Sequence, residues 1–270
     1  MTSPRRSLLA LGAAMLLALP LNAVPTDAWA QAPEEIVKAG KVLIAIDTTV
    51  PPYGSLDAQM QPTGMDVELG QLVGKALGVP VEFVTVTSPG RIPALLTKRV
   101  DLVISIFSIT AERALQVDFS NPYGGQSTVL LAPKGRKIAG PKDLVGLKVG
   151  ATRGAIEDVV LTEMVKNNPG ITYLRFDDGP SCAQAMLSGQ IDAMGGGDYG
   201  EIYLRKSASG DEFEQKFVLR PNYFGIGLRK GNPALLHWVN TLLFTLKNDG
   251  TLDRLSMKYR NKPIGDLPAF

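Results

Sequence analysis

The chain of 270 residues holds one cysteine, Cys182, and one histidine, His237. One of each cannot make an internal disulfide, a redox dithiol or a Cys/His metal site, so no metal is expected. A serine–histidine–acid triad would have to use His237, which lies in an apolar stretch with helical spacing and reads, with Trp238 and Leu242, as a packing residue. Cys182 reads as a small buried helix residue. The chemistry left is ionic: arginines and carboxylates that could grip a small charged molecule. Arg113 stands in Thr110-Ala111-Glu112-Arg113, where Thr110 opens a helix. A cation in a first helical turn opposes the helix dipole unless something negative sits beside it, which points to a bound anion; a solvated surface arginine is the alternative. Thr152-Arg153-Gly154-Ala155-Ile156-Glu157 opens a second helix of the same kind. Asp198 follows three glycines, 195–197, where an acid could hold a cation or simply cap a helix. Asp47 precedes a stiff turn that contains Tyr53. The glycine run lacks GxGxxG spacing, so no dinucleotide cofactor is expected.

These residues need elements that place them together. Residues 41–47 (KVLIAID), 81–86 and 102–106 read as buried strands, with helices over 65–77 and 92–99 between them. The alternation restarts: strands at 147–151, 171–176 and 192–194, helices at 156–166, 181–188 and 199–206. A helix capped by Asn232 and opened by Pro233 runs to 248, and another spans 251–259. Such strand–helix alternation indicates βαβ units and largely parallel sheets. Two sets imply two lobes, with 126–133 and 217–228 as hinge strands. In open α/β sheets ligands sit beyond the carboxyl ends of strands, and Asp47, Ser108, Arg113, Arg153 and Asp198 all follow strands.

Composition fits an exported protein. Arg5 and Arg6 precede a twelve-residue apolar run, 8–19, and Ala28-Trp29-Ala30 offers a cleavage pattern, with Ala30-Gln31-Ala32 as second choice. This is a secretory signal peptide, too short in its apolar core to span a bilayer; an uncleaved anchor is the alternative, and the export route, general or twin-arginine, stays open. The formal charge is 28 − 26 = +2, and the charges are mixed along the chain, so nucleic acid is not an expected partner. The basic residues of 134–142 read as a solvated loop.

Residues 91–113 (RIPALLTKRVDLVISIFSITAER), followed by Val117-Asp118-Phe119-Ser120-Asn121-Pro122-Tyr123, resemble the signature of the family 3 periplasmic solute-binding proteins. Residues 64–69, 142–150, 191–193 and 248–251 are similar to its other landmarks, in order, and the likeness covers 36–262. The resemblance implies a two-lobed type II periplasmic binding protein, with two Rossmann-like α/β lobes joined by two hinge strands. Lobe 1 would comprise 31–126 and 224–270, and lobe 2 would comprise 127–223. Such a protein closes on a polar amino acid in the periplasm and presents it, as a monomer, to an ABC transporter permease. Carried over by position, Arg113 would hold the ligand carboxylate with its guanidinium fork, helped by Ser108 and by backbone N–H groups near Ile106 and Ser108. Asp198 would take the ammonium, and Asp47 would contact the ligand or fix its loop. Arg153, Gly154 and Ile156 would line the second lobe.

Two departures from the family pattern bear on the ligand. Val50 and Ser88 stand where aromatic side chains commonly sandwich it, with Tyr53 and Phe107 the nearest substitutes. The spacing from Asp192 to Asp198 is one residue long, which puts Gly197 where the acid is expected; without that contact the ligand could be a carboxylate lacking an α-amino group. Arg91 is either a second cation for an acidic ligand or a solvated helix residue. The chain is expected not to be an enzyme. The rival is a cyclohexadienyl dehydratase, which resembles the same family and would need Glu157 as its general acid; a ligand sensor without a permease is a third reading.

Overall fold

The structure, a computed structural model, describes residues 33–207 and 212–268. The signal-peptide reading of 1–30 and both cleavage choices fall outside them. In chain order the elements are α1 (Pro33–Ala39), β1 (Val42–Ile46), β2 (Ser55–Leu56), β3 (Pro62–Thr63), α2 (Met65–Leu77), β4 (Val81–Thr85), α3 (Arg91–Leu96), β5 (Leu102–Val103), α4 (Ala111–Ala114) and β6 (Val117–Pro133). They continue with β7 (Lys148–Thr152), α5 (Ile156–Asn167), β8 (Thr172–Phe176), α6 (Gly179–Leu187), β9 (Ala193–Gly196), α7 (Asp198–Arg205), β10 (Phe213–Arg229), α8 (Pro233–Asn248) and α9 (Thr251–Arg260).

Two parallel trios form the lobes: β4-β1-β5 in the first and β8-β7-β9 in the second. Between them run β6 and β10, each 17 residues long and antiparallel to the other. The carboxyl end of β10 pairs with β5 in lobe 1, and the carboxyl end of β6 pairs with β9 in lobe 2. The hydrogen-bond ladder is therefore continuous among the described residues, in the order β4-β1-β5-β10-β6-β9-β7-β8. The two α/β sets of the sequence are present, but they share these strands instead of forming separate sheets. Register shifts in the β6/β10 ladder, as between Phe224 and Gly225, let the long pair bend where the lobes part.

Separate buried clusters support each end. Ile44, Ile46, Leu69, Val73, Ile226, Val239 and Leu243 belong to the first lobe's core, with a smaller one around Leu95, Val103 and Phe107. Leu130, Val149, Leu161, Met186 and Met194 belong to the second. The helices form for local reasons. In α2, Leu69, Val73 and Leu77 recur on one face, and Gly78, at φ +72°, closes the helix in the left-handed conformation. In α8, Asn232 accepts from the Leu235 N–H and Pro233 takes the first turn. The α8 and α9 helices pack on the first lobe, so the chain crosses twice.

Candidate functional site

Where the lobes meet, they close over a cavity of about 20 Å³, room for about one water-sized molecule. Val50, Ser88 and Arg91 line it from the first lobe, Thr128 from β6, and Ile156 and Glu157 from the second lobe. Apart from Thr128, which lies within β6, each arrives there by following a strand or opening a helix.

Two guanidinium groups dominate. Arg113 is 8% exposed; its Nη1 donates to the Ser108 carbonyl at 2.9 Å and its Nη2 to the Gly154 carbonyl at 3.0 Å. Its backbone N–H is held by the Thr110 hydroxyl, which caps the short α4 helix. Arg91 is 3% exposed, not the solvated helix residue that was one of its two readings. The turn at 88–90 folds the Arg91 side chain back, so that Nε donates to the Ser88 carbonyl and Nη1 to the Ser105 carbonyl. Its Nη2 reaches across to the same Gly154 carbonyl, at 3.1 Å. Both groups lie over the Phe107 ring, 5.1 and 5.3 Å from its centroid, a cation–π arrangement that offsets part of their dehydration. Burial and the neighbouring Arg91 charge lower the Arg113 guanidinium to about 9.

Glu157 is the acid of this lining. Burial pushes it up to about 7, against the lowering effect of a hydrogen bond from the Tyr199 hydroxyl and of the two arginine charges. The sequence left Glu157 as either the general acid of a dehydratase or a first-turn helix acid; it stands in the first turn of α5 and is buried there.

The other predicted residues take varied places. Asp47 is buried and its Oδ1 accepts from the Thr49 N–H and hydroxyl, so it fixes its own loop. Tyr53 is wholly buried, edge-on to Phe224 at 5.4 Å, and Phe107 packs on Phe119 at 4.8 Å; neither faces into the cavity as a substitute aromatic wall. Ser108 and Ile156 line the cavity, while the Ile106 N–H is already taken by Asp66 and the Tyr123 hydroxyl. Gly154, at φ +71°, approaches Pro89 across the lobes. Arg153 points outward, half exposed, 3.6 Å from Asp177. Asp198 has its carboxylate engaged elsewhere: Arg260 at 3.0 Å, Lys262 at 3.3 Å and the Tyr53 hydroxyl at 3.2 Å. Burial raises that carboxyl, but the Arg260 and Lys262 charges outweigh it and hold it below the usual range. Gly197, one residue earlier, occupies the lining, and a Cβ there would strike the Gln126 side chain at 2.7 Å. Cys182 is buried, whereas His237 is exposed on α8 and does not pack.

Two α/β lobes on shared crossing strands, closed over a charged cavity, define the type II periplasmic binding fold. The chain belongs to the bacterial extracellular solute-binding proteins, family 3, whose family model matches residues 42–262. It is 31% identical over 227 residues to the L-cystine-binding protein TcyJ of Escherichia coli (strain K12), covering 83% of this chain and 84% of that protein. Among solved structures, a mutant of ArgBP from T. maritima superposes with a TM-score of 0.78 at 30% identity, covering 86% of this chain and 100% of that one. The ancestral amino acid-binding protein AncCDT-1, a precursor of cyclohexadienyl dehydratase, superposes with a TM-score of 0.76 at 33% identity, covering 85% and 99%.

Proposed function

We propose that this protein is a periplasmic receptor that captures a small amino acid or related carboxylate between its lobes and delivers it, as a monomer, to an ABC permease. One observation carries the reading: Arg113 and Arg91 are buried between the lobes, and both reach an acceptor oxygen of the opposite lobe. In the liganded protein Arg113 would exchange the Gly154 carbonyl for a ligand carboxylate, gaining charge-assisted bonds of about 1.5–3 kcal/mol each. Ser108 would donate to the same carboxylate, Ile156 would close over the ligand, and Asp47 would keep the facing loop in shape. Because the ligand touches both lobes, it favours closure, and closure is the state a permease can read. The relatives support an amino-acid ligand: TcyJ is named for L-cystine, and ArgBP is also recorded in an arginine-bound form.

The test is a thermal-shift screen of the twenty amino acids and common dicarboxylates. A ligand at a hundred times its Kd adds about 2.7 kcal/mol, a rise of several degrees in Tm for a chain of this size. No shift from any compound would overturn the reading.

A second reading rests on Glu157, a buried acid near 7 beside two arginines, suited to general-acid chemistry. A cyclohexadienyl dehydratase would turn prephenate into phenylpyruvate, visible by its absorbance; the receptor reading expects none.

A further inference from the structure

We infer that the interlobe site takes, when the lobes part, a solute with two anionic groups, a short dicarboxylate with or without an amino group, and that Arg91 is the clamp for its second carboxylate. The inference rests on the receptor reading above and names the ligand class of that same site.

Arg91 and Arg113 are both more than nine-tenths buried, and every hydrogen bond their guanidinium groups make among the described residues goes to a neutral backbone carbonyl. Neither has a carboxylate within ion-pair distance among the described residues. Asp47 and Glu157 act on Arg91 only through space, as Glu157 and Glu112 do on Arg113, where Arg220 adds positive field. Two dehydrated cations held by neutral dipoles are incompletely compensated, and an anion is the natural completion. The two forks share a single oxygen, the Gly154 carbonyl, and a ligand with two carboxylates would give each fork an anion of its own.

Other lining residues fit the same class, while Glu157, the acid of the lining, would meet the amino group of a ligand that carries one. The Thr128 hydroxyl is buried against the cavity with no hydrogen-bond partner among the described residues, and is free to donate. The acid expected to demand an ammonium, Asp198, is spent on Arg260 and Lys262. What faces the cavity in its place is Gly197. Val50 and Ser88 give no aromatic wall, Tyr199 in the lining is tied to Glu157 through its hydroxyl, and Arg91 would repel a long cationic side chain. In this closed form the cavity has room for about one water, so the solute enters with the lobes apart.

The experiment is calorimetry on the purified protein with L-glutamate, L-aspartate, succinate and 2-oxoglutarate, against L-glutamine, L-asparagine and L-arginine. At least one dicarboxylate is expected to bind roughly a hundredfold tighter than the matching amide, the ratio that one lost charge-assisted bond produces. Arg91→Leu should collapse that ratio to a few-fold, and Arg91→Lys, which keeps the charge but not the fork, should leave it intermediate. If Arg91→Leu does not fold, the ligand ratio and Arg91→Lys decide. An amide or arginine that binds as well as the dicarboxylates, or a folded Arg91→Leu with the ratio intact, overturns the inference while the receptor reading stands. If no amino acid or dicarboxylate binds at all, the receptor reading fails and the inference with it.

Discussion

At the scale of single residues, burial decides what each charge is worth. Arg113 is not an exposed cleft side chain: truncation to alanine takes the guanidinium from the Ser108 carbonyl and leaves the Gly154 carbonyl to Arg91 alone. Arg113→Ala is therefore expected to lose ligand binding by more than a hundredfold and also to lower stability by about 1–3 kcal/mol. Calorimetry and denaturant unfolding measure the two effects separately. Glu157 supplies a pH dependence of definite sign. Its folded pKa, about 7, lies above the ordinary carboxylate value, so the folded state holds the proton more tightly. Stability is then highest below the unfolded pKa and falls as pH rises through 7. Glu157→Gln is expected to reduce that slope in unfolding experiments between pH 5 and 8, leaving the part due to Asp66, which burial also raises to about 7. Asp198 works in the opposite sense, its depressed pKa contributing stability that is lost as pH falls through the carboxylate range.

Much of this was legible in the chain itself. The Thr110–Arg113 motif singled out an arginine that is buried between the lobes, and the extra residue before Asp198 placed Gly197 in the lining. Arg91 was ambiguous because a side chain at a helix start can point anywhere; only the turn at 88–90 aims it inward. Arg153 was misleading for the same reason, since its backbone follows a strand while its side chain turns to Asp177.

At the scale of elements, periodicity located the helices well. The spans of α2 and α8 fall where apolar spacing and the Gly78, Asn232 and Pro233 signals put them. The N-terminal α1 and the small β2–β3 hairpin carry too few periodic residues to announce themselves. The β6 strand begins well before the expected segment because its lobe-1 end, near Phe119, pairs with β10, and β10 begins early, at Phe213, because that end pairs with Pro133 of β6, tertiary facts without local signature. Helix α9 has a role that local pattern could not supply. Its last residue, Arg260, 5% exposed at the side chain, ties Asp198 at the start of α7 and the Gly125 carbonyl in β6. This ion pair joins the two lobes away from the cavity. Arg260→Met is expected to cost up to about 3–5 kcal/mol, since it leaves Asp198 with only the exposed Lys262 and the Tyr53 hydroxyl. It should also loosen closure, seen as a larger radius of gyration in solution scattering, with the cavity residues untouched.

At the scale of the molecule, closure is a contact between backbones as much as a matter of charge. The Gly154 loop of lobe 2 meets Pro89 of lobe 1, and a Cβ on Gly154 would lie 3.1 Å from the Pro89 Cα and nitrogen. The φ of +71° adds a conformational cost of about 1 kcal/mol for any other residue. Within the second lobe, the Gly154 N–H is anchored by Asp158, itself paired with Arg175, so the loop is rigid and cannot give way cheaply. The Tyr203 hydroxyl bonded to the Thr49 carbonyl closes the opposite rim, and it too depends on the lobes meeting at this distance. Gly154→Ala should therefore hold the lobes apart while each folds normally. The expected result is a ligand affinity reduced by tenfold or more, a scattering profile that stays extended when ligand is added, and a Tm without ligand within a few degrees of the parent. A variant that closes and binds like the parent would mean that the interlobe contact yields more easily than its backbone geometry implies, and that the arginine pair alone sets the energy of closure.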